Sequence, residues 1–125
     1  MKENIVVNKS FSFALDIIQL YKFLAEEKRE YVLSKQLLRS ATAVGALIRE
    51  AQNAESKMDF VHKLGIAQKE CDESIYWLQL LFHSHYIDEM QFSKLESSAS
   101  ELLKLLKSII VSTKQNIQKE KQRMK

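Results

Sequence analysis

Along residues 33–51 the apolar and small positions Leu33, Leu37, Ser40, Val44, Leu47 and Ala51 recur in alternating steps of four and three. That spacing keeps one face of an α-helix apolar. A second row does the same: Phe60, Leu64, Ala67, Cys71, Ser74, Leu78 and Leu81. A third runs through Phe92, Leu95, Ala99, Leu102, Leu106, Ile109 and Thr113. Upstream, Phe11, Leu15 and Ile18, with Phe13, Ile17, Leu20 and Leu24 on a neighbouring row, predict a helix from about Phe11 to Glu27 with Ser10 as its cap. The second helix is expected to begin between Tyr31 and Lys35 and to run to about Asn53. "SKMD" at Ser56–Asp59 resembles a capping box for the third, and "DEMQ" offers Asp88 and Gln91 for the fourth. The links are short, so consecutive helices should be antiparallel neighbours. The expected fold is all-α, an up-down-up-down antiparallel four-helix bundle over residues 1–113, with 114–125 a basic C-terminal helix extension or tail.

The third helix carries more apolar surface than one bundle face needs. Ile66, Trp77 and Leu80 form a second face, and Ile75, Phe82 and Tyr86 a third. Between 75 and 82 only Gln79 is clearly polar. A helix in a small bundle keeps one side wet. The excess points to a subunit interface through Ile66, Trp77 and Leu80, since aromatics are enriched in such contacts. The alternative is a helix buried centrally in its own bundle.

Composition supports the helical reading. The 125 residues include no proline and two glycines, Gly45 and Gly65, too few turn residues for a β-rich chain. Gly45 stands inside a helical row among Ser40, Ala41, Thr42, Ala43 and Ala46. There it costs about 1 kcal/mol relative to alanine, which points to a bend or a close backbone approach. The single Cys71 excludes an internal disulfide framework and fits a reducing cytoplasm. The N-terminus lacks the long apolar run of a secretory signal, and "IYWLQLLF" at 75–82 is too short to span a bilayer, so no membrane partner is expected.

The net charge of +3 is unevenly spread. The last twelve residues carry five Lys or Arg against one Glu; the other 113 carry fourteen against fifteen acidic residues. Such a tail suits either a solvated helix end or contact with nucleic acid. Candidate nucleic-acid contacts are Arg39, Arg49 and Lys57, and the tail residues Lys114, Lys119, Lys121, Arg123 and Lys125. Arg39 and Glu50 border the small-residue stripe, where a charge is drawn into contact between helices or subunits.

Catalytic patterns are missing from the sequence. Di-iron bundles need repeated Glu-x-x-His pairs. Here "DFVH", Asp59 to His62, occurs once, and His83 and His85 have no carboxylate motif beside them. Cys71 falls on a core row, the place of a small buried hydrophobe rather than a nucleophile. No Gly-rich phosphate loop, hydrolase elbow or zinc spacing is present. Neither an enzyme, a metal nor a cofactor is expected.

"QLLRSATAVGALIREA" followed by "SKMDFVHKLGIAQKECDESIYWL" resembles a known family. It is the four-helix-bundle family named for open reading frames in the intervening sequences of bacterial 23S rRNA genes, also labelled S23 ribosomal protein. The accessory proteins of diversity-generating retroelements are related to it. The matching positions are Gln36, Leu37, Arg39, Ala41, Ala46, Ile48, Glu50, Ser56, Phe60, Ile66, Ala67 and Glu73. Gly45 stands where many relatives carry proline, Leu47 replaces an asparagine, and Ala51 replaces a glycine. The resemblance implies a homo-oligomer, a ring-shaped pentamer, with an RNA-binding or adaptor role; in the retroelement branch the partners are RNA and a reverse transcriptase. Two functions are carried forward: an oligomeric bundle that binds RNA or DNA through Lys and Arg, and a protein-interaction scaffold without nucleic-acid affinity.

Overall fold

A computed structural model of the chain describes residues 4–124. Those residues form four helices and no strand: α1 (Ile5–Glu26), α2 (Leu33–Ala51), α3 (Lys57–His83) and α4 (Glu89–Arg123). α1 packs against α2 and α4, and α3 packs against the same two, so the helices close a ring around one core. The α1–α4 seam is the most thinly packed of these pairings. It is bridged by Lys9 and Glu101 at 3.1 Å and carries open grooves lined by Asp16, Phe23, Gln91 and Ser98.

The rows expected for the third and fourth helices are nearly the buried ones. In α3 the buried residues are Leu64, Ala67, Cys71, Ser74, Leu78 and Leu81, and in α4 Leu95, Ala99, Leu102, Leu106 and Ile110. α2 buries Leu37, Ser40, Val44 and Ala51 of its row, while Ile48 takes the place expected for Leu47. α1 departs more. It starts six residues earlier than expected, capped by the Asn4 side chain, which accepts from the Val7 N–H. Ser10 is no cap: it is buried inside the helix, its hydroxyl donating to the Val7 carbonyl. Phe11 and Leu15 are 55% and 49% exposed.

The termini explain themselves locally. The Ser56 side chain accepts from the Asp59 N–H, but the Asp59 carboxylate accepts from Glu55 rather than Ser56, so only half of a capping box forms. Asp88 and Gln91 make the complete reciprocal pair. α2 has no side-chain cap at Val32; instead the buried Glu30 carboxylate accepts from the N–H groups of Val32, Leu33 and Ser34. Burial pushes the Glu30 carboxyl up, and the three N–H donors more than offset it, so the net shift is downward.

α2 runs unbroken across Gly45 with no positive φ. A Cβ at Gly45 would lie 3.6 Å from the Ser10 carbonyl and hydroxyl oxygens, ordinary contact. α2 therefore packs on α1 at Gly45 at ordinary distance, and neither a bend nor an unusually tight backbone approach accompanies the glycine.

Candidate nucleic-acid interface

Arg39 projects from the outer side of α2 and reaches across to α3. Its guanidinium donates to both Glu70 carboxylate oxygens at 3.1 and 3.2 Å and to Glu73 at 2.6 Å. The Trp77 indole N–H donates to the same Glu73 oxygen at 3.0 Å. The indole bond, opposed by partial burial and joined by Arg39, holds the Glu73 carboxyl below the usual glutamate range; the two carboxylates hold Arg39 above its ordinary value. The network is partly exposed, so its charge energy is screened, but the two-pronged geometry fixes how α2 lies on α3. One level deeper, the Ser40 and Ser74 hydroxyls lie 2.9 Å apart in the buried seam.

Of the expected nucleic-acid contacts, Arg39 thus spends its charge inside the chain. Lys57 does too: its ammonium pairs with Glu120 near the end of α4. Glu50 faces Lys63 loosely, at 3.9 Å, a contact between helices as its place beside the stripe suggested. Arg49 is exposed on α2 beside the Gly45 dent and makes no ion pair among the described residues. Lys114, Lys119, Lys121 and Arg123 are all exposed on α4 beyond its last buried residue, Ile110, and are likewise unpaired among the described residues. Lys125 lies outside the described residues. The Lys57–Glu120 pair sets Lys57 beside Lys119 and Lys121 at the α4 end, whereas no ion pair or hydrogen bond among the described residues links Arg39 or Arg49 to that end.

The aromatic excess of α3 is largely absorbed within the chain's own core. Ile75, Trp77, Phe82 and Tyr86 pack, partly buried, against the core. Phe82 stacks on Phe92 of α4 with ring centres 4.5 Å apart. Among the three expected interface residues, Ile66 is exposed, whereas Trp77 and Leu80 are half-buried.

Lys69 and His62 are not among the nucleic-acid contacts expected from the sequence. With Lys114 they line a groove between α3 and α4 that opens over Gly65. Cys71 is buried, its thiol donating to the Ala99 carbonyl at 3.3 Å. Burial, with a smaller effect from Asp72, pushes that thiol up to about 12, out of nucleophilic range. Among the described residues there is no cluster of His, Cys, Asp and Glu able to hold a metal. Among the described residues, too, no helix is long and apolar enough to cross a membrane.

A family model described as 23S rRNA-intervening sequence protein matches residues 2–108. A solved structure from Bacteroides thetaiotaomicron, described as a protein of unknown function from the S23 ribosomal protein family, is 50% identical in sequence. The match covers 84% of this chain and 97% of that one, with a TM-score of 0.83. Among curated proteins none matches.

Proposed function

The chain belongs to the family of 23S rRNA-intervening sequence proteins, and on that premise we propose that it is a non-enzymatic, oligomeric helical bundle that binds RNA through the basic end of α4. The observation that carries this reading is the set Lys114, Lys119, Lys121 and Arg123, which stays exposed and unpaired among the described residues while Arg39 and Lys57 are neutralised within the chain. In a ring of copies these cations are repeated once per subunit, which multiplies a modest charge into a phosphate-binding surface.

We read the bundle itself as up-down-up-down and antiparallel. Ser40 meets Ser74 while Glu50 meets Lys63, and Cys71 meets Ala99 while Phe82 meets Phe92, each pair of contacts running in opposite chain order. Assembly as a homo-oligomer, a pentamer by family resemblance, would use the outward flanks of Trp77 and Leu80 on α3, while Ile66 lines the α3–α4 groove. The single buried thiol suits a reducing, cytoplasmic setting. The scaffold reading is favoured by the exposed Phe11, Leu15 and Tyr76, surface fit for a protein partner.

The test compares the full chain with one ending at Thr113, titrated with a labelled structured RNA across salt concentrations. Each lost phosphate contact should lower the log–log salt slope by about 0.7–0.9. Equal slopes and affinities would remove the α4 end from the interface, and no binding by either chain at low salt would favour the scaffold.

A further inference from the structure

We propose that the groove between α3 and α4 over Gly65 seats the phosphate backbone of an RNA strand, with Lys69 and Lys114 as its two anchoring cations. The inference rests on the RNA-binding reading above and gives it a location on the bundle.

Gly65 is the first observation. It lies within α3, where glycine costs about 1 kcal/mol relative to alanine. At Gly45 an added Cβ would meet Ser10 at an ordinary contact distance of 3.6 Å. At Gly65 an added Cβ would meet nothing within 4 Å, and the backbone has no positive φ. Neither packing nor conformation of this chain requires a glycine there. What the missing side chain does is leave the main chain bare at the centre of a groove of about 330 Å³, open to close approach by something else.

The second observation is the charge of the walls. His62, Lys69 and Lys114 line the groove over an aliphatic floor that includes Val61, Ile66 and Ile110, and no carboxylate lines it. Three other grooves that contain a lysine also contain an acid: Asp16 and Glu101, Asp16, or Asp88. Lys69 owes its freedom to the network described above. Glu70 and Glu73, its neighbours on α3, are turned toward Arg39 and Trp77. Asp72, three residues on, makes no ion pair with it.

The third is continuity. Lys107 and Lys121 stand seven residues to either side of Lys114, so the three share one side of α4 at intervals of about 10 Å. The groove is thus one station on a line of exposed cations that ends at the basic C-terminal turn. A polyanion can follow such a line, with sugars resting on the aliphatic floor. A neutral or cationic partner gains nothing from it.

The experiment uses the full chain, a fluorescein-labelled single-stranded RNA, and fluorescence anisotropy over a series of salt concentrations. The variants are the double substitution Lys69→Gln with Lys114→Gln, Gly65→Glu, and Gly65→Ala as the uncharged control, each checked for helicity by circular dichroism. The double variant should lose two phosphate contacts, lowering the log–log slope by about 1.4–1.8. Gly65→Glu should weaken binding on the order of tenfold, the effect of a like charge beside a phosphate at a protein surface. Gly65→Ala should bind as the parent does. If the parent binds and both charge variants keep its slope and affinity, the groove is not the site, although RNA binding stands. If the parent does not bind even at low salt, both readings fall. Competition by polyglutamate as effective as competition by RNA would assign the groove to an acidic protein segment and overturn the proposal.

Discussion

Glu30 does for α2 what a serine or aspartate at the cap does elsewhere, from two residues further back. Arg29 adopts a positive φ of 51° just before it, which turns the chain so that a single carboxylate meets three N–H groups. The folded pKa lies below the ordinary glutamate value, so the stabilisation is complete above that value and fades as pH falls through the lower folded one. Glu30→Gln should therefore cost about 1 kcal/mol near neutral pH, the usual worth of a cap. In urea titrations the gap between parent and variant should close on acidification; a gap constant with pH would mean that the carboxylate charge contributes nothing. Cys71 makes a simpler prediction. Its thiol is buried and pushed up to about 12, so the native protein should not react with a disulfide reagent at neutral pH, and one thiol should appear on denaturation. At Gly45 the ordinary contact distance to Ser10 leaves room for a methyl group. Gly45→Ala should stabilise by up to about 1 kcal/mol through helix propensity, whereas Gly45→Leu should cost about 1–3 kcal/mol by displacing Ser10; chemical denaturation measures both.

At the scale of the elements, α3 ends on a left-handed residue that is not glycine. His85 has φ 69°; its N–H donates to the Phe82 carbonyl and the next N–H, of Tyr86, donates to Leu81. This is the Schellman arrangement, in which the left-handed position favours glycine. His85→Gly should raise stability by about 1 kcal/mol, read as an upward shift of the melting temperature, with the Phe82–Phe92 stack kept. The rows of α3 and α4 were legible because every core position in them is apolar or small and the steps hold until the last turns of α4, where Ile110 rather than Ile109 is buried. α1 follows the same alternation through Val6, Ser10, Phe13, Ile17, Leu20 and Leu24. The sequence showed that row from Phe13 to Leu24; a serine in the slot before it passed for a cap and hid the first turns from Ile5, and Phe11 and Leu15, though apolar, are exposed. The ion pairs of Arg39 were illegible for a different reason: its partners lie 31 and 34 positions away, and only the packing of α2 on α3 brings them to it. The groove over Gly65 was hidden for the same reason, since its walls come from two helices.

For the whole molecule, light scattering should give a mass that is a multiple of 14.6 kDa if the oligomeric reading holds, and a monomer mass would sink it. On that reading Trp77→Ala is expected to lower both the mass and the melting temperature, because that ring also packs on the core of its own chain. Leu80→Ser, at a residue that does not line the α3–α4 groove, should lower chiefly the mass. The closure of the bundle has a further consequence, in time rather than in space. Three of the four helix pairings join neighbours in the chain, while the thin α1–α4 seam must bring together segments from near its two ends, as in the Lys9–Glu101 bridge. Closing it demands the most chain entropy for the fewest contacts. It should therefore form last on refolding, and amide hydrogens on the α1 and α4 sides of it should exchange with solvent by local opening well before those of the α2–α3 pair, which should exchange only when the whole bundle unfolds.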